Sequence, residues 1–143
     1  MEETVTALRR ERWIVSILVF RLTELRHLLA DNDARFLGWA SAEVEDAATR
    51  VREAELVRDA LTNGIDEMPE PYGEIIGEHL AAIAGLVDEV HALRADCVRL
   101  ATDAIAACGD TNDLAVELAV GGYRAALATT QHLRLQALTE SVR

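Results

Sequence analysis

Lysine is absent from this sequence: all 14 basic residues are arginine, set against 25 acidic residues. The arginine-only usage carries no functional reading by itself. The resulting formal net charge of −11 repels nucleic acid and anionic membranes, which argues against DNA or RNA partners. Cysteine is almost as scarce. Cys97 and Cys108 lie eleven residues apart in what reads as one helix, too far along its axis to bridge each other, so both read as buried thiols in a reducing compartment. Proline occurs only at Pro69 and Pro71, which mark the one real linker of the chain. The longest nearly unbroken apolar run is about eight residues, too short to span a membrane, and Met1-Glu-Glu is acidic where a leader would be basic. A soluble, cytoplasmic protein without membrane insertion is expected. No stretch alternates with period two, and no motif recurs at solenoid spacing.

What the chain does have is helix periodicity over one domain's length. Half of its 143 residues are apolar, enough to fold without metal or disulfide support. The chain is organised around Arg12–Asp31. Leu8, Val15, Leu18, Leu22, Leu25 and Leu29 recur at heptad steps, and Glu11 fills the one missing position of that seam. Trp13, Ile14, Ile17, Val19 and Phe20 point to other sides, so the segment needs cover on more than one side. Trp13 and Trp39 are expected to be at least partly covered.

Four helices are predicted, over about residues 3–30, 34–62, 75–108 and 113–142, with a linker over about 63–74. The first should end at Asp31-Asn32-Asp33, which also offers a cap to the second. The second carries Leu37, Ala40, Val44, Ala47, Val51, Ala54 and Leu61 on its seam, with Arg58 as the single exception. Its alanines imply close approach, and so few turn residues require an antiparallel hairpin. The third seam reads Ile76, Leu80, Ile83, Val87 and Val90, then Leu93, Cys97, Leu100 and Ala104 on a slightly rotated face. The fold class is therefore all-α, an antiparallel bundle or long coiled-coil hairpin of about four helices.

Charge is unevenly spread. From Asp59 through Leu93 there are eight acidic residues and no arginine, whereas residues 112–143 carry three acids and three arginines. Between Leu118 and Leu133 the last helix has Arg124 as its only charge, and Gly121-Gly122 would each cost an exposed helix about 1 kcal/mol relative to alanine. Such a helix needs a cover, which the bundle, a second copy or a partner can supply. Its candidate partner-binding residues are Leu114, Leu118, Tyr123, Leu127, Leu135 and Leu138, and the helix reads as detachable.

Two carboxylate–histidine pairs are the strongest chemical signal among the titratable residues. Glu24-Leu-Arg-His27 and Asp88-Glu-Val-His91 each place a carboxylate three residues before a histidine, the spacing of di-iron carboxylate bundles, with Glu43 or Glu45 and Glu117 as the remaining carboxylates. The seam phase opposes this, because Leu22 and Leu25 point inward and so send Glu24 and His27 to the solvated side. His79 reads as a partly buried, hydrogen-bonded residue. Neither cysteine has an activating neighbourhood in sequence, and Gly121-Gly122 lacks the spacing of a phosphate loop. No catalytic residue, metal or cofactor is expected, and the chain reads as a non-enzyme.

The run from Leu8 to Leu29 resembles the first helix of the actinobacterial branch of FlgN-like flagellar export chaperones. Phe36-Leu-Gly-Trp39, Ala42-Glu-Val-Glu45 and Ala54-Glu-Leu-Val-Arg58 are similar to features of its second helix. Glu70-Pro-Tyr72, Glu78-His-Leu80 and Leu86-Val-Asp-Glu-Val90 follow in the family's order, so the resemblance covers roughly residues 8 to 105. It departs at Arg94-Ala-Asp96, where an asparagine is expected, and the last helix matches no family pattern. The resemblance implies a cytoplasmic chaperone that holds hook-associated proteins of the hook–filament junction and delivers them to the type III export gate. A C-terminal tyrosine in that family is associated with docking to the gate component FlhA, and Tyr123 is the only tyrosine of the last helix; a plain packing role suits it equally. The alternative is a structural or regulatory homodimer that self-associates through its last helix.

Overall fold

The computed structural model describes residues 1–31, 33–63, 71–108 and 113–129. Within them the chain forms four helices and no strand: α1 Glu2–Ala30, α2 Leu37–Thr62, α3 Tyr72–Cys108 and α4 Asp113–Ala128. The heptad positions are the core. Leu8, Val15, Leu18, Leu22 and Leu25 are wholly buried, and Leu37, Ala40, Val44, Ala47, Val51 and Ala54 meet them from α2. Leucine against alanine brings the two backbones close, as an antiparallel hairpin with a short connection requires. The α3 seam closes the other side of α1 through Ile76, Ile83, Val87, Val90, Leu93 and Cys97, and at its C-terminal end runs through buried Ala101 while Leu100 and Ala104 are only partly covered.

Two helix starts fall three residues from their expected places, for local reasons. Asp33 does not cap α2. Its Oδ1 accepts the Arg35 backbone N–H at 3.1 Å and its carboxylate pairs with the Arg35 guanidinium, which holds 34–36 in a turn and delays the helix to Leu37. At the other junction Pro71 immediately precedes α3, where its missing N–H costs nothing and its fixed φ suits a first turn, so α3 starts at Tyr72 inside the expected linker.

Both α1 and α4 pack on α2 and α3. Small residues make this close. Ala119, Ala125 and Ala126 of α4 are buried, and Gly122 faces Leu25 and Leu29 closely enough that a Cβ there would be in van der Waals contact with Leu29 at 3.4 Å. Of the three covers open to the last helix, the bundle supplies one over 113–128. Leu28, Leu29, Leu37, Ala104, Ala115 and Leu118 surround a void of only about 20 Å³ at the hairpin-turn end. With 16 residues, α4 reaches roughly 24 Å along a bundle whose α1 is nearly twice as long.

Candidate protein-binding surface

Every tryptophan and phenylalanine lies outside the core. Trp13, Phe20, Phe36 and Trp39 remain 61%, 60%, 54% and 51% exposed, so the cover expected for the two tryptophans is less than half complete. The reason is geometric. The α1 seam is taken by α2 and α3, and the third side of α1, carrying Trp13 and Phe20 two turns apart, has no helix over it among the described residues. Arg21 ties this ridge to α2: its guanidinium lies 5.6 Å from the Phe20 ring and 5.7 Å from the Trp39 ring, and bonds Glu24 at 2.9 Å and Glu43 at 3.6 Å.

Trp13 stands between two open grooves. One of about 690 Å³ runs between α1 and α3, lined by Arg9, Arg12, Ser16, His79, Leu86 and Glu89 among others. The second, about 440 Å³, runs between α1 and α2 and is lined by Arg10, Ile14, Arg50, Glu53, Ala54 and Val57. His79 is partly buried as expected, but its Nδ1 is sealed from water without a hydrogen bond, unlike the satisfied histidine the sequence suggests.

The residues proposed from sequence on α4 do not form one surface. Leu114 is 65% exposed, while Leu118, Tyr123 and Leu127 are partly buried, with Leu118 and Tyr123 packed on the core. Tyr123 follows Leu118 by five residues, about 140° round the helix, so the two look in different directions. Leu135 and Leu138 lie outside the described residues.

No metal geometry assembles from the carboxylate–histidine pairs. The Arg21 guanidinium sits between Glu24 and Glu43, His27 is exposed, and no three His, Cys, Asp or Glu side chains converge among the described residues. Cys97 is wholly buried, its Sγ 3.6 Å from the Leu22 carbonyl. Burial pushes its thiol up to about 12, the opposite of an activated nucleophile. The Cys108 side chain lies outside the described residues. No described helix is long and apolar enough to cross a membrane.

Compared with family models, curated proteins and solved structures, this chain matches none. Periodicity alone places Trp13 and Phe20 on the flanks of the leucine seam and does not distinguish a covered flank from an open aromatic ridge. Their spacing of seven residues off the leucine seam, next to Arg9, Arg10 and Arg12 in an acidic chain, was the available signal.

Proposed function

We propose that this chain is a non-enzymatic, protein-binding helical bundle: a cytoplasmic export chaperone of the FlgN type, which holds hook-associated flagellar proteins and passes them to the FlhA export gate. The flagellar part of this reading rests on the resemblance over residues 8 to 105. The binding part rests on one observation, that all four tryptophan and phenylalanine side chains stand more than half exposed while the leucine seams are closed. Large aromatics are the side chains that interfaces favour, because they bury much apolar area at little entropic cost. A bundle whose core is complete without them has them free for a partner.

The test is direct binding of the purified protein to hook-associated proteins encoded with it, by calorimetry and light scattering. A stoichiometric complex is expected, weakened roughly thirtyfold or more by Trp13→Ala with Phe20→Ala, the size of a binding hot spot. Absence of any complex, or a complex indifferent to these changes, would show that the client or the surface is wrong.

A further inference from the structure

Arg9, Arg10 and Arg12 fall within four residues of a chain whose net charge is −11, and all three are exposed. None enters an ion pair among the described residues, whereas Arg21, Arg26, Arg35, Arg50, Arg58 and Arg99 all do. Their placement is ordered around Trp13. Arg10 lines the groove on the α2 side, Arg9 and Arg12 line the groove on the α3 side, and the indole forms a wall of both. Three guanidinium groups with no ion pair among the described residues, Arg10 on one side and Arg9 and Arg12 on the other, thus straddle one exposed apolar ridge.

We propose that the N-terminal half of α1 is a docking surface for an acidic amphipathic helix of a partner protein. The partner's apolar stripe lies over Trp13 and toward Phe20, and its flanking carboxylates reach Arg10 on one side and Arg9 and Arg12 on the other. Arginine suits this task, since its planar fork pairs with a carboxylate through two hydrogen bonds. Trp13 and Phe20 lie about 10 Å apart along α1, so a partner helix of three or four turns spans both. The facing walls set its placement. Glu89 and His79 of α3 border one groove and Glu53 of α2 borders the other, with Arg50 held there by Asp46 at 3.2 Å. The acidic flanks must therefore stay on the α1 side, above the arginines. The more distant carboxylates that make the chain acidic act weakly on such a helix, because at physiological salt charges are screened beyond about 8 Å.

This inference rests on the protein-binding part of the proposed function and not on the identity of the client. The test uses the full chain carrying Trp39→Phe, so that Trp13 alone reports by fluorescence. The probes are two synthetic helical peptides of about 20 residues with the same leucine stripe, one flanked by glutamate and one by lysine. The glutamate peptide should bind and shift Trp13 emission to the blue, with the lysine peptide about tenfold weaker or more, as several exposed charge pairs together provide. Replacing Arg9, Arg10 and Arg12 together by glutamine should cost the glutamate peptide a similar factor, and replacing all three by lysine should largely restore it. Circular dichroism should be unchanged in both variants, since all three side chains are exposed. Failure of the glutamate peptide to bind, equal binding of both peptides, or indifference to the glutamine variant overturns the proposal. So does a homodimer that Trp13→Ala converts to monomer, for a second copy would then occupy the ridge. A hook-associated protein that does not bind sinks the chaperone reading and leaves the peptide result standing; one that binds the glutamine variant undiminished does the reverse.

Discussion

Glu11 and Arg58, the two residues that break the apolar seams of α1 and α2, are partners. Arg58 Nε donates to both carboxylate oxygens of Glu11, at 3.0 and 2.8 Å, with Glu11 wholly buried and Arg58 11% exposed. The two positions lie nearly the same distance in sequence from the turn that holds Ala34 and Arg35, so an antiparallel hairpin brings them together. Each exception explains the other. Breaking such a buried pair leaves Arg58 only its weaker contact with Asp59 at 3.4 Å, and the cost reaches about 3–5 kcal/mol. Glu11→Ala should destabilise the protein by that amount in chemical denaturation, whereas Glu11→Leu combined with Arg58→Leu should be neutral or stabilising. If the double variant is as unstable as the single one, the pair is doing more than matching charge.

Glu11 also makes stability depend on pH in a particular direction. Burial pushes its carboxyl above the ordinary value of 4.5, and the Arg58 guanidinium pulls it back only in part. The folded state therefore holds this proton more tightly than the unfolded chain does. The contribution is fully present below pH 4.5 and is lost as pH rises through the folded value. Relative to Glu11→Gln, the wild type should accordingly lose stability as pH rises above 4.5 and through the folded value, read from paired urea titrations.

Cys97 should resist alkylation. With its thiol wholly buried and pushed up to about 12, it carries almost no thiolate at pH 8. Peptide mapping after brief iodoacetamide treatment should find Cys97 unmodified in the native protein and modified in urea. Rapid native labelling would mean that α1 and α3 separate readily beside Leu22.

The two glycines of α4 should behave differently. A Cβ at Gly121 meets nothing within 4 Å, so Gly121→Ala should add roughly 0.5–1 kcal/mol through helix propensity. Gly122 is buried against Leu25 and Leu29, and Gly122→Leu should cost about 1–3 kcal/mol by forcing the helices apart. Thermal melts of both variants distinguish a packed α4 from a detached one, for which both substitutions would stabilise.

Leu22→Ala should cost about 2–5 kcal/mol, as for a large residue removed from a packed core. Leu22 is wholly buried between the α2 and α3 seams. A loss below about 0.5 kcal/mol would contradict the heptad register on which the bundle is described.

Which residues form the α1 and α2 core was legible in the sequence, because a heptad places its side chains on one line of the helix whatever lies opposite. Leu8 to Leu29 and Leu37 to Ala54 needed no neighbour to be recognised, and neither did the antiparallel hairpin that a short polar turn imposes. What lies over each remaining side is a different kind of fact. The same flanking position reads alike whether a helix covers it or water does, so Ile14 became core at 7% exposure while Trp13, one residue earlier, stayed at 61%. Periodicity likewise marked Glu11 and Arg58 as breaks without joining them. Their pairing, the seating of Gly122 on Leu29 and the aromatic ridge between two arginine-lined grooves were decided by tertiary structure, since each depends on the distance between helices remote in sequence.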